Sequence, residues 1–192
     1  MDVREPSRKQ LWFWWLVLIA IIIVGVVIAA HVSLPKSVET SQPGLYSINR
    51  FIDGDTIDVN MNGSVETIRM IGMDTPETHK PNTPVQCYGP EAANYTKNLI
   101  DGQKVRLQAD PLDTNRDRYG RLLRYVYLAD GRLVEKELIS NGYAFAYTQF
   151  PFIKTSEFKA YEVAAKTSNK GLWASCQVTV ESNGREQTNS AQ

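Results

Sequence analysis

The chain has 192 residues, 43% hydrophobic and 22% charged, with a formal net charge of zero. Composition of this kind belongs to ordinary globular proteins and excludes disorder except at the ends. From Leu45 onward, 17 basic residues stand against 18 acidic ones, a net of −1, which excludes the broad basic footprint of a protein that grips duplex DNA.

Residues 1–10 read as a cytoplasmic N-terminus carrying Arg4, Arg8 and Lys9. Leu11 to Ala30 are 20 consecutive uncharged, mostly apolar residues. As a helix they would reach about 30 Å, the hydrocarbon thickness of a bilayer. Trp12, Trp14 and Trp15 sit where an aromatic belt belongs, and the basic residues lie ahead of the run. The expectation is a single transmembrane anchor over residues 11–31 with everything after it outside the cell. A cleaved signal peptide is the alternative, although the run is long for one. Either way the rest of the chain is exported. Residues 32–44 read as a linker, residues 45–176 as one domain of roughly 130 residues with a real core, and residues 177–192 as a polar, frayed tail.

Strands dominate the first half of the domain. Ile57, Val59 and Met61 alternate with Asp58 and Asn60, a period of two. Asn62-Gly63 predicts a type I′ hairpin turn, and Val65 to Ile71 returns as the partner strand. Asp53 and Asp55 share the parity of the apolar positions, so they point to the apolar side at its rim. An acid there is costly unless paired or metal-bound. Tyr88-Gly89-Pro90-Glu91 predicts a helix start, with the helix running to about Ile100. Lys104 to Ala109 and Leu122 to Leu128 read as strands, the latter with Tyr125 and Tyr127 facing core and surface. Leu133 to Ser140 reads as a short helix stopped by Asn141-Gly142. Ser156 to Asn169 reads as a third helix, with Phe158, Tyr161, Ala165 and Leu172 on roughly one face. About five strands and three helices without βαβ alternation predict a small closed β-barrel carrying helices.

Two cysteines, Cys87 and Cys176, exclude a tetrahedral zinc site, because no histidine pair accompanies them. In an exported domain a disulfide is expected, worth roughly 4–5 kcal/mol in the loop-entropy picture. Two unpaired thiols are the plainer alternative.

The chemistry concentrates in Asp53-Gly54-Asp55-Thr56 and in Asp74-Thr75-Pro76-Glu77, with Arg69 just before the second cluster and Arg121 in Asp117-Arg118-Tyr119-Gly120-Arg121. Carboxylates that bind a hard cation, beside arginines that bind phosphate, are the parts of metal-assisted phosphodiester hydrolysis. Each motif has a bland reading when taken alone. Asp53-Gly54-Asp55 makes a plain turn, Asp74 to Glu77 a helix-start turn, and Arg121 a surface arginine. His79 reads as a solvated loop residue and Trp173 as a packing anchor.

In this order and at these spacings, together with Tyr88-Gly89-Pro90-Glu91-Ala92 and Gly171-Leu172-Trp173, the motifs resemble the staphylococcal nuclease-like (thermonuclease) family over about residues 45–176. The resemblance implies an α+β OB-fold, a five-stranded β-barrel with three α-helices. It also implies a Ca²⁺-dependent endonuclease that acts on DNA and RNA and leaves 3′-phosphate ends; no protein partner is evident in the sequence, and a monomer is expected. Position by position it assigns Asp55, Asp74 and the Thr75 carbonyl to the metal, and Asp53 to a place behind those ligands. Glu77 becomes the general base, and Arg69 and Arg121 the phosphate-binding arginines. Arg118, Tyr119 and Tyr147 flank the nucleotide pocket. Arg118 stands where the family's best-known member has lysine, which keeps the charge but alters the donor geometry. A non-catalytic OB-fold module that binds nucleic acid without cutting it is the alternative.

Overall fold

The computed structural model describes residues 12, 15, 17, 19, 44–79 and 83–191. The chain divides into two units, residues 1–37 and 38–192. In the first, Trp12, Trp15, Val17 and Ile19 are helical. Among the described residues no helix is long and apolar enough to cross a membrane. Apart from those four residues, the expected anchor at 11–31 lies outside the described residues, as does the linker up to Pro43.

The second unit is built on a five-stranded sheet. β1 (Ser47–Phe51), β2 (Thr56–Met61) and β3 (Ser64–Met70) form an antiparallel meander, continued by β6 (Leu122–Tyr127) and β5 (Arg106–Gln108) in the order β1-β2-β3-β6-β5. The β2–β3 turn is the one the sequence predicts: Asn62 and Gly63 both take positive φ, 52° and 88°, as a type I′ turn requires. Its register pairs Thr56 with Arg69, so the end of β2 that follows the Asp-Gly-Asp loop meets the end of β3 that carries the arginine. β3 and β6 run parallel. The two edges of the sheet meet through one bridge, where Tyr46 and Val105 exchange backbone hydrogen bonds of 2.8 Å. The five strands expected of a closed barrel are thus present as one sheet, whose edges are joined among the described residues by that bridge alone, short of a closed barrel.

The period-two expectation holds for Ile57 and Val59, which are fully buried in the core with Ile68, Leu107 and Val126. It fails at Asp58, predicted to face outward but buried. Arg50 and the Thr67 hydroxyl both hydrogen-bond its carboxylate, which lets the acid leave water.

Helix α1 (Gly89–Ile100) starts with proline in its first turn and stops at Asp101-Gly102, both at positive φ. Helix α2 (Val134–Ser140) and helix α3 (Thr155–Thr167) follow the expected spans closely. Phe158 and Ala165 of α3 are buried as predicted, while Tyr161 is half-buried. Leu172 belongs to a fourth, short helix, α4 (Leu172–Ser175), which the sequence reading did not separate from α3. Two two-residue strands, β4 (Met73–Asp74) and β7 (Phe145–Ala146), pair antiparallel and bring Asp74 opposite Phe145.

The segment predicted as a frayed tail over 177–192 instead contains, among its described residues, a hairpin. β8 (Val178–Val180) pairs with β9 (Glu186–Thr188). It is held to the domain by Cys87 N–H donating to Asn189 O (2.7 Å) and Ala191 N–H donating to Val85 O (2.8 Å). Cys87 and Cys176 are joined in a disulfide that spans 89 residues of sequence. The bond therefore fixes the root of the hairpin beside the start of α1.

Candidate active site

The Asp-Gly-Asp loop is shaped by a close approach. A Cβ on Gly54 would lie 2.7 Å from Thr75 Cγ2, closer than side-chain atoms pack. Only glycine lets the loop carrying Asp55 lie against Thr75. From the other side, the buried Thr96 hydroxyl of α1 donates to Gly54 O at 2.7 Å. Asp53 accepts the Asp55 amide at 3.0 Å and fixes the turn.

Asp55 is buried and fully engaged. Its Oδ2 accepts the Thr75 amide (2.9 Å) and hydroxyl (3.2 Å), and its Oδ1 accepts the Thr56 hydroxyl (2.9 Å). Arg69 then bridges the two acids, with Nη1 2.9 Å from Asp55 Oδ2 and Nη2 3.0 Å from Asp74 Oδ1. On Asp74, the remaining oxygen is taken by an arginine from the C-terminal hairpin. Arg185 Nε and Nη2 both lie 2.8 Å from Asp74 Oδ2. Asp53, Asp55, Arg69, Asp74, Thr75 and Arg185 thus form one network.

Burial sets the electrostatics here. Desolvation, reinforced by the Asp55 charge, pushes the Asp53 carboxyl up to about 7. Desolvation also raises Asp74, against the opposing pull of Arg69 and Arg185. For Arg69 burial works against the charge, but Asp55, Asp74 and Asp53 outweigh it, so its guanidinium is held more firmly protonated than usual.

Glu77 lies at the start of the loop after β4. Its Oε1 accepts the amides of Thr78 and His79, both at 2.9 Å, while its own amide donates to Gln86 Oε1 at 2.8 Å. The side chain therefore reaches forward along the chain rather than back as in a capping box. Tyr147 follows β7, anchored by its amide on Gly72 O at 2.8 Å. A small cleft opens between Tyr147–Gln149 and Gly184–Glu186, with Asp74 in its lining.

The second arginine does not join this network. Arg121 Nε pairs with Asp117 Oδ2 at 2.7 Å, and the same carboxylate accepts the Tyr119 and Arg121 amides. Arg118 donates to the Tyr119 hydroxyl at 2.9 Å. Both guanidinium groups lie over the Tyr119 ring, 4.9 and 5.4 Å from its centroid, and that ring is 68% exposed. An exposed ring flanked by two cations is a platform on which a base can stack beside a phosphate.

The donor set around Asp55 and Asp74 fits a hard divalent cation. It offers carboxylate, carbonyl and hydroxyl oxygens without sulfur or imidazole. Among the described residues no group of three or more His, Cys, Asp or Glu side chains is arranged to hold a metal. A cation there would draw its remaining ligands from backbone, water or substrate.

Sequence reasoning missed Arg185. It is 111 residues from Asp74, and no local pattern announces so distant a pairing. The hairpin that delivers it did carry a signal. Asn183-Gly184 is the same dipeptide as Asn62-Gly63, and Gly184 takes the positive φ (82°) that the turn needs.

Residues 67–175, more than half of the chain, match the family described as staphylococcal nuclease homologue. The chain belongs to the staphylococcal nuclease family. It is 45% identical over 130 residues to a thermonuclease of Staphylococcus hyicus, covering 67% of this chain and 75% of that one. It is 44% identical to the SPbeta prophage-derived endonuclease YokF and 43% identical to endonuclease YncB, both of Bacillus subtilis (strain 168) and each over 130 residues, or 67% of this chain. The match spans 43% of the length of YokF and 61% of that of YncB. The β8–β9 hairpin lies beyond the residues matched to the family.

Proposed function

We propose that this protein is a calcium-dependent endonuclease that hydrolyses phosphodiester bonds of DNA and RNA and leaves 3′-phosphate ends. The observation that carries the reading is Arg69 bridging Asp55 and Asp74 in a chain whose relatives are named thermonuclease and endonuclease. It acts as a monomer outside the cell, tethered through residues 11–31 or released from them.

A phosphodiester repels nucleophiles with its own charge. Asp55, Asp74 and the Thr75 carbonyl would hold the cation, which supplies charge neutralisation and orients the reactants when bound. Arg69 has a rigid fork that suits a phosphate as well as a carboxylate. It stabilises the charge gathering on the phosphate oxygens as water attacks. Arg121 does the same from the opposite loop once its guanidinium turns from Asp117 to substrate. Glu77, with one oxygen fixed by two amides, orients and deprotonates the water. Arg118, Tyr119 and Tyr147 hold the flanking nucleotides, and Asp53 supports the loop that presents Asp55.

The test is cleavage of end-labelled single-stranded DNA, duplex DNA and RNA with Ca²⁺ or EDTA, with the product ends identified. Cleavage with Ca²⁺ alone and 3′-phosphate products are expected. Full-speed cleavage in EDTA overturns the metal assignment. Tight binding without cleavage leaves only a binding module. Sedimentation of the full chain with membranes tests the tether.

A further inference from the structure

Both oxygens of Asp74 are occupied by guanidinium groups, and the two arginines are not equivalent. Arg69 lies in the sheet, 14% exposed, and is shared with Asp55. Arg185 is 30% exposed, and Asp74 is the one carboxylate it pairs with among the described residues. It arrives on a hairpin docked by several independent contacts. The Thr188 hydroxyl donates to Cys87 O at 2.8 Å, and Lys166 joins Glu186 (2.8 Å) to Glu162 (3.3 Å). Glu162 in turn accepts the amide of Ala146 in β7, the strand neighbour of Asp74. The placement of Arg185 is thus built into the fold rather than left to a loose end.

We propose that Arg185 is an internal cation that competes with the divalent metal for Asp74 Oδ2, so that the C-terminal hairpin sets the metal affinity of the site. This rests on the metal assignment made above. A guanidinium with two N–H groups on one carboxylate oxygen occupies the lone pairs that a metal needs. Two positive groups cannot share that oxygen at contact distance without strong repulsion. Arg69 cannot withdraw without also abandoning Asp55, whereas Arg185 is 30% exposed and forms an ion pair with no second carboxylate among the described residues, the charge of Glu181 acting on it only from a distance. Metal entry therefore displaces Arg185, and the cost of displacement weakens the apparent metal affinity.

Calorimetric titration of Ca²⁺ into the full chain and into Arg185→Gln tests this. Removing the competitor tightens Ca²⁺ binding by about tenfold, the effect of one charge-assisted pair. Glu186→Gln loosens the docked hairpin while keeping Arg185, and tightens binding by a smaller factor, about two- to threefold. In the wild-type chain the NMR signal of the Arg185 Nε–H moves toward its solvent-exposed position as Ca²⁺ saturates. This readout distinguishes displacement from a distant charge effect and does not depend on any variant folding. Wild-type binding with unchanged or weaker affinity in Arg185→Gln overturns the proposal alone, as does an Nε–H signal indifferent to Ca²⁺. Failure of both proteins to bind Ca²⁺ overturns it together with the metal assignment.

Discussion

The two arginines assigned to the phosphate sit in opposite surroundings. Arg69 is buried between Asp55 and Asp74 and anchored in the central hairpin of the sheet. Arg121 lies in a surface loop, paired with an acid four residues away in its own turn. The first region ties the proposed site to the fold, because its charges cannot be removed without stranding others away from water. The second, under the proposed function, would place phosphate binding on a surface loop whose ion pair closes within its own turn.

The sharpest way to break that contrast is to remove each arginine. Arg69→Ala is expected to abolish cleavage and to cost about 3–5 kcal/mol of stability, because two buried acids lose their shared partner. Arg121→Ala is expected to cut turnover by about 10²–10³-fold while changing stability by less than about 1 kcal/mol. Denaturant melts of the two variants decide the matter, and equal destabilisation would erase the distinction. Glu77 tests where the boundary falls. It lies close in sequence to Asp74 but hangs on loop amides, so Glu77→Gln should lower turnover by about 10²–10⁴-fold with a melt near that of the parent. Near-normal cleavage by that variant would take Glu77 out of the mechanism. Gly54→Ala should lower stability by about 1–3 kcal/mol through the clash with Thr75 and weaken Ca²⁺ binding at the same time. A stable variant with weakened binding would show that the loop can shift independently of the core.

The smallest effect concerns an acid outside the proposed site. Glu135 is fully buried on α2 and accepts the Val126 amide. Burial raises its pKa well above the ordinary 4.5, against the opposing pull of hydrogen bonds and Lys154. The folded state therefore holds this proton to higher pH than the unfolded state does. Its contribution to stability is full below pH 4.5 and declines as pH rises above that value until the folded group ionises. Glu135→Gln keeps an acceptor for Val126 and removes this decline. Identical slopes of stability against pH in the two proteins would contradict the assignment.

Most of the fold was legible because its signals are local. Asn62-Gly63, Pro90 and the alternation through Ile57 and Val59 each determine structure within a few residues. Asp58 was misread because burial there depends on a partner in the neighbouring strand, Thr67, and on Arg50. The candidate site was legible as a set of motifs whose order carries a family resemblance. Its actual contacts were not. That Arg69 spans both acids follows from the β2–β3 register and from the closeness of Gly54 to Thr75. That Arg121 folds onto Asp117 is a preference of one loop, which spacing alone does not rank against a distant partner. Arg185 was the deepest omission, since polarity in residues 177–192 suggested a frayed end and concealed a hairpin turn.

The covalent link between Cys87 and Cys176 encloses the largely exposed segment 111–120. A protease that severs the backbone there produces two fragments, one bearing Asp55 and Asp74 and the other Arg121 and Tyr147. Under oxidising conditions those fragments stay attached and the clipped molecule remains whole. The same cut made in a reducing solution lets the halves part, so the tolerance of this protein to digestion depends on the redox state of its surroundings.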